Sequence, residues 1–437
     1  MEVGGVNNPK IGVTSAQVLA LDLQITRSVR LAGEFRNPIH GDGHPAALSP
    51  PSAVGVLTPG RRRTGDAYLV AVSNTVCSSG LMSEETLAAQ RTITVTGTAQ
   101  KQAWVDRVMP VVEQVRPGLW SVPTIFPVGP LRYVLSYLIE TTAGLALVDP
   151  GWPSDEAWDA LVAGIRLTGH DVTDIDAVLV THHHADHIGL AKRVREASGA
   201  RVALHTLDGK AMGDFHSLND FADSDADWLR RRGVPEDELV DMLPQRTDGP
   251  VDFRTEIDVL LEDGDRPMGA GTPLRVLWTP GHTPGHICFI HEGHDVLLTG
   301  DHVLPRITPN ISPSPYDTAD ILGDYLGSLA ALADLDVSEV LPAHEYRFAG
   351  LPARIWQLRD HHARRLAEIL DALASGAGLT TLEVAEQLTW SRPWDQNLRF
   401  IRRSAIGETY AHLLHLERLG QVTVGAGPVD AWRPAVP

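Results

Sequence analysis

The stretch Thr181-His182-His183-His184-Ala185-Asp186-His187-Ile188-Gly189 puts four imidazoles and one carboxylate within six positions. These are the donors that a borderline-soft divalent ion such as zinc takes. With no cysteine nearby, the pattern speaks against a structural zinc site. In an extended loop His182 and His184 project to one side and can grip one ion, while Asp186 and His187 turn toward a second. More residues of this kind follow apolar runs further along: His282 and His286 within Trp278–His286, Asp301-His302 after Val296–Leu298, and His344-Glu345 after Val340-Leu341. Open α/β sheets place their chemistry beyond the carboxyl ends of strands, so side chains this far apart in sequence can meet at one rim. A surface histidine cluster would not account for the later positions.

The elements that must position these residues are short. Leu119–Val122, Tyr133–Ile139, Leu145–Val148 and Ala177–Val180 are apolar runs bounded by Gly, Pro or Asp. A second set is Leu274–Leu277, Ile287–Ile290, Val296–Leu298 and Val340-Leu341. Both sets predict buried strands. Asp155–Leu167, with Ala157, Trp158, Leu161 and Ile165, predicts a helix against a sheet, and Leu322–Leu332 predicts another. The mixture reads as a sheet-based α/β domain over residues 109–350. Residues 206–250 are helical and polar, a surface insertion with a substrate-covering lid as the alternative.

Residues 351–437 read as three amphipathic helices and an extended Gln421–Val424, a small winged-helix-like module. Glu408, His412, His415 and Glu417 deny its third helix the basic face that reading DNA requires, so packing or homodimer formation is expected of it. Residues 1–108 show no sustained period, and Arg61-Arg62-Arg63 sits in a Pro/Gly-rich stretch. They read as a poorly structured N-terminal extension. The working chain is expected to start near Met109, and loss of 1–108 is expected to leave folding and activity intact.

The 437 residues carry a net charge of −18. The acidic excess lies in 109–350, because the flanking segments are nearly neutral. That balance opposes nucleic acid and anionic membrane surfaces as partners. Two cysteines, Cys77 and Cys288, exclude a disulfide scaffold. No run approaches the roughly 18 apolar residues of a spanning helix, and the first residues lack the order of a secretory signal, so a cytoplasmic location is expected.

The order H-x-H-x-D-H, then His, Asp and His, resembles the metallo-β-lactamase superfamily at all seven ligand positions. The resemblance implies a four-layer αββα sandwich with two Zn2+ per chain at one edge. It assigns His182, His184 and His282 to one ion and Asp186, His187 and His344 to the other, with Asp301 bridging them. It also implies a hydroxide shared by the two ions as nucleophile, oriented by Asp186, which makes Asp186 and Asp301 the catalytic carboxylates. His183 falls in a variable slot where solvent exposure is expected. His286 and Asp149 match supporting positions, and His302 is not expected to be a ligand. Arg132 and Tyr133 lie at a turn that overhangs the metals in relatives, so they are the substrate-binding candidates, Arg132 for a carboxylate or phosphate.

A carboxylate at 301, where true β-lactamases commonly carry cysteine, is similar to the glyoxalase II, lactonase and nuclease branches. Thr279–His286 and His344-Glu345-Tyr346 resemble glyoxalase II, whereas the C-terminal arrangement looks closer to the β-lactamase-like protein 2 group. The expected activity is hydrolysis of a thioester or ester, lactones included, on a small molecule or a carrier-bound acyl group. The alternative is an endoribonuclease or other phosphodiesterase.

Overall fold

The computed structural model describes residues 92–127, 130–214, 218–243, 254–313, 320–397 and 399–435. In chain order the first half contains β1 (Thr94–Val95), α1 (Thr98–Asp106), β2 (Glu113–Arg116), β3 (Leu119–Ile125), β4 (Tyr133–Thr141), β5 (Gly144–Val148), α2 (Asp155–Leu167), β6 (Ile175–Leu179), α3 (Ala185–Ile188), α4 (Ala191–Ser198) and β7 (Arg201–His205). The polar segment supplies α5 (Thr206–Asp214), α6 (Leu218–Arg231) and α7 (Glu236–Met242). Then come β8 (Val259–Leu261), β9 (Leu274–Trp278), β10 (Ile287–His291), β11 (Val296–Gly300), α8 (Ile321–Leu332), β12 (Glu339–Pro342) and β13 (Phe348–Ala349). The C-terminal module is α9 (Leu351–Leu373), α10 (Thr381–Gln387), α11 (Arg399–Arg418), β14 (Val422–Val424) and β15 (Trp432–Pro434).

The strands form a seven-stranded sheet, β2-β3-β4-β5-β6-β7-β8, and a six-stranded sheet, β1-β13-β12-β11-β10-β9. Alternate residues of both meet in one core, where Tyr133, Leu135, Tyr137 and Leu179 pack with Val276, Phe289, Leu298 and Leu341. The other face of the first sheet is covered by α2 and α4 through Leu147, Val178, Leu161 and Val194. The second sheet buries its outer face under α8, α9 and α11, with Leu297, Val340, Leu326, Leu358 and Leu413 in contact. Helix, sheet, sheet and helix are therefore stacked in four layers, each apolar face buried against the next. Helix α2 begins where Ser154 accepts a hydrogen bond from the Ala157 N–H at 3.2 Å, with Asp155 and Glu156 facing the helix dipole.

Strand direction decides where chemistry can occur. β10 is antiparallel to both β9 and β11, and β12 is parallel to β11. Strands β9, β11 and β12 thus end at the same rim, and the loop after β6 supplies the fourth segment from the opposing sheet.

The expected boundary at Met109 is corrected. β1 pairs with β13 at Thr94↔Ala349 and Val95↔Phe348. In α1, Gln100 is buried, donates to Ser121 Oγ at 3.0 Å and accepts the Arg347 N–H at 3.0 Å. A two-residue strand and a weakly amphipathic helix leave no period to read, so their place is set by these distant partners. Arg61-Arg62-Arg63 lies outside the described residues.

The C-terminal segment has the expected element order, with β14 and β15 forming an antiparallel ribbon. Helix α11 is largely buried: Ile406, Ala411, His412, Leu413 and Leu416 are inside. It packs against the rest of its own chain, including Trp228, Leu229 and Leu239 of the polar segment.

Candidate metal centre

The loop after β6 is held by Asp149, at the end of β5. One carboxylate oxygen accepts the Thr181 N–H at 2.8 Å, and the other accepts the Thr181 hydroxyl at 2.8 Å and lies 2.9 Å from His187 Nδ1. Asp149 adopts φ +51, an uncommon backbone conformation for a residue with a Cβ, which its three partners hold in place. The bracing role expected of Asp149 is what the geometry shows.

Four of the five rings that face the centre are oriented from behind, His187 by Asp149. His282 Nδ1 lies 2.8 Å from the Asn310 carbonyl, His344 Nδ1 lies 3.0 Å from the Tyr133 carbonyl, and His182 Nδ1 lies 3.1 Å from Thr181 Oγ1. These contacts leave Nε2 of His182, His187, His282 and His344 pointing inward, while His184 turns Nδ1 in. His184 Nδ1 is 2.9 Å from His182 Nε2 and 3.1 Å from His282 Nε2. Asp301 lies 3.6 Å from His187, 3.7 Å from His282 and 3.3 Å from His344, and Asp186 is 3.3 Å from His344.

Among the described residues three donor groups converge: His182, His184 and His282; His182, His187 and Asp301; and Asp186, His187 and His344. All seven residues expected as ligands are thereby brought together, with Asp301 between the two outer groups. His187 Nε2, His344 Nε2 and Asp301 Oδ1 are buried with no hydrogen-bond partner. Orphaned buried polar atoms of this kind are costly unless a cation takes them. The donor set of imidazoles and carboxylates fits divalent metal ions.

Charge distribution agrees. Burial among neighbouring imidazoles holds His182 and His184 far below the ordinary histidine value, His184 at about 3, so both are neutral donors. Burial works the same way on His187 and His344, but the Asp186 and Asp301 carboxylates outweigh it and push both upward. Burial would raise Asp186, yet His187 and His344 bring it down to about 2. The side of the centre lined by Asp186 and Asp301 therefore favours positive charge, while the His182–His184 side offers neutral donors.

The supporting residues divide into expected and missed. His286 is buried, with Nδ1 2.9 Å from Thr279 Oγ1, and its Nε2 accepts the Asp301 N–H at 3.3 Å, so it sets the backbone of Asp301. Gly300 must be glycine: it adopts φ +48, and a Cβ there would come within 2.6 Å of Thr181 Oγ1 and 2.9 Å of His286 Nε2. His302 turns into the fold and meets Tyr325, with ring centroids 4.9 Å apart.

Asp208 was not singled out by the sequence. Fully buried, it accepts from the His183 N–H at 2.9 Å, the Thr283 hydroxyl at 2.9 Å and the Gly285 N–H at 2.7 Å. It ties the first histidine loop to the loop carrying His282. A lone Asp in a polar helical segment gives no local signal of that role.

Three expectations change. His183 is not simply solvent-exposed; its side chain is 16% accessible, and Nδ1 lies 2.9 Å from Asp208. Tyr133 is not available to a substrate, because it is fully buried and its hydroxyl donates to the Glu345 carbonyl at 2.8 Å. Arg132 does stand at the turn, with φ +66, but its fork is partly occupied: one Nη donates to the Trp104 carbonyl at 2.7 Å, and the guanidinium lies 4.3 Å from the Trp104 ring centroid.

Comparison with known proteins is consistent with this geometry. The family model described as the metallo-β-lactamase superfamily matches residues 129–344. A metallo-β-lactamase family protein of Thermus thermophilus superposes with a TM-score of 0.60 at 31% identity, covering 74% of this chain and 100% of that one. The β-lactamase-like protein 2 homolog of Caenorhabditis elegans is 23% identical over 59% of this chain and 72% of its own. Hydroxyacylglutathione hydrolase of Pseudomonas putida is 29% identical over 49% and 63%. Atrochrysone carboxyl ACP thioesterase of Aspergillus chevalieri is 30% identical over 32% and 45%. With its ligand order, its layered sheets and these likenesses in agreement, the chain belongs to the metallo-β-lactamase superfamily and is a hydrolase.

Proposed function

We propose that the protein is a binuclear zinc hydrolase of thioesters or related esters, small or carrier-bound. The observation that carries this reading is the pair of outer donor groups with Asp301 between them, 3.7 Å from His282 of one and 3.3 Å from His344 of the other. His182, His184 and His282 would hold one ion, Asp186, His187 and His344 the other, and Asp301 both. When bound, the pair supplies an activated water nucleophile and Lewis-acid polarisation of the acyl oxygen. Asp186, ionised at neutral pH and 14% accessible at the rim, would accept a hydrogen bond from the attacking water and so orient it. His182, His187 and His344 are fully buried, which keeps bulk water from the inner face of the site. A thiol leaving group needs no protein acid, since a thiol of pKa ~8.5 departs as thiolate.

The thioester reading draws on the names of two relatives, one an acyl carrier thioesterase and one a hydroxyacylglutathione hydrolase. The ribonuclease alternative receives no such help from the C-terminal module. Arg403 is spent on Asp225 at 2.6 Å and Ser312 at 2.8 Å, and Arg402 on the Trp394 carbonyl at 3.2 Å.

The test is metal analysis with a substrate panel of thioesters, lactones, aryl phosphodiesters and RNA. Two zinc per chain and turnover of a thioester are expected. Asp301→Ala should lose at least one metal together with activity. Retention of two metals and full turnover in that variant, or turnover confined to RNA, would overturn the reading.

A further inference from the structure

The rim beside His344 carries a group of cations in an otherwise acidic domain. Arg306, five residues beyond Asp301, is 55% exposed, and its Nη2 donates to Glu345 Oε1 at 2.6 Å, next in the chain to His344. Its guanidinium lies 5.5 Å from the Trp104 ring centroid, the same ring that Arg132 covers at 4.3 Å. Arg132 stands at the edge of the centre as well: its carbonyl accepts the Phe126 N–H at 2.8 Å, and the Phe126 ring is 6.1 Å from the His344 ring. Lys101 extends the group, with Nζ 5.8 Å from the Tyr346 ring centroid.

Two guanidiniums thus share the Trp104 ring, an ammonium lies over Tyr346, and Glu345 pairs with Arg306. Arg132 Nη1 is buried with no hydrogen-bond partner, a donor left over after Trp104 has been satisfied.

We infer that Arg306 and Arg132, mounted on Trp104, form an anion subsite that takes the phosphate of a phosphopantetheine thiol, the leaving group of the thioester. The inference rests on the thioester reading and deepens it. A planar fork suits a phosphate oxygen pair, and stacking on an aromatic ring fixes its plane beforehand. Arg306, through Glu345, stands on the His344 side of the centre, so a thiol arm running past that side would bring its phosphate to this rim. Because the rest of 109–350 is acidic, an isolated cationic patch discriminates strongly between charged and neutral arms.

Two measurements test this with the zinc-loaded full chain. In the first, KM is compared for the same acyl group on pantetheine, on coenzyme A and on a carrier protein. At least one phosphorylated thioester is expected to show a KM about tenfold lower than acyl-pantetheine, the factor that one charge-assisted hydrogen bond supplies. The phosphorylated substrate with the lower KM names the source. Arg306→Ala should bring the KM ratio close to one, and Arg306→Lys, which keeps the charge beside Glu345 but loses the fork, should reduce it. Arg195→Ala, a surface arginine paired with Glu256 and Asp258, should leave the ratio as it was.

In the second, calorimetry measures binding of free phosphopantetheine and of pantetheine, independently of turnover. Equal KM values in the natural protein, a ratio surviving both Arg306 variants, or equal affinity for the two free thiols overturns the subsite. Phosphate-dependent binding without hydrolysis of any thioester upholds the subsite and overturns the thioesterase reading.

Discussion

Asp208 shows how one carboxylate can govern two loops. It has three hydrogen-bond donors and the His183 ring around it, and although burial would raise its carboxyl, His183 and the donors hold it well below the usual range. The loops it joins carry His182, His184 and His282, so its charge fixes where three candidate ligands stand. Asp208→Asn turns an acceptor-only group into one that also donates, against the N–H groups of His183 and Gly285. The expected outcome is a loss of zinc affinity of about 10- to 100-fold, read by chelator competition, with a smaller change in melting temperature. His183→Ala should weaken zinc binding less than His184→Ala, because His183 meets Asp208 while His184 faces the centre. Equal losses would mean that the register of the histidine loop is wrong.

The short elements β1 and α1 do work that their lengths conceal. Thr96 Oγ1 donates to Glu339 at 2.6 Å, and Gln100 links β3 to the strand-end residue Arg347. A chain beginning at residue 109 should melt roughly 5 °C or more below one beginning at 92, since buried side-chain hydrogen bonds are lost with their partners left behind. Scanning calorimetry on the two truncations decides it.

Helix α8 offers a pH test at the same scale. Asp320 accepts the Gly323 N–H at 2.9 Å at the helix start and lies 2.9 Å from His415 Nδ1 of α11. Burial would raise its carboxyl, but His415 and the capping bond lower it below the ordinary value. A carboxyl lowered in the folded state contributes stability that is complete above its unfolded pKa and disappears as pH falls through the folded one. Asp320→Asn should therefore cost about 1–2 kcal/mol in urea unfolding at pH 7, and the gap to the natural protein should narrow below about pH 4.

At the scale of the whole molecule the C-terminal module is joined to the catalytic sheets by charge as well as apolar contact. Arg403 pairs with Asp225, and Arg232 with Asp430 at 3.0 Å, across the seam between the polar helices and the module. Arg354 of α9 donates to the Ile307 carbonyl at 2.7 Å, in the loop whose Asn310 carbonyl orients His282. The module thereby reaches a candidate ligand. Its arginines are structural in this geometry, so Arg402→Ala with Arg403→Ala should lower the melting temperature. The KM for a neutral thioester should change little between low and physiological salt. Activity on RNA that falls steeply with salt, by roughly −0.7 in log–log slope per phosphate contact, would reverse that assignment. Among the described residues no helix is long and apolar enough to cross a membrane.

The candidate donors were legible in the amino-acid order because they stand just beyond apolar strands, and strand periodicity is local; the choice of seven among them is what the resemblance to the family implies. Helix Asp155–Leu167 was legible to its last residue for the same reason, with a capping serine before it and an apolar stripe along it. Chain order says nothing, however, about what lies behind a side chain. Asp208 became a support only because β7 delivers it to the loops after β6 and β9. Tyr133 was removed from the substrate side because the opposing sheet buries it under the Glu345 carbonyl. Arg306 met Arg132 on Trp104 only once three separate segments of the chain had been folded to one rim. Local sequence determined which residues can do chemistry, because residue type and spacing are local; tertiary packing decided which of them face the centre and which support it, because burial and hydrogen-bond partners come from distant strands.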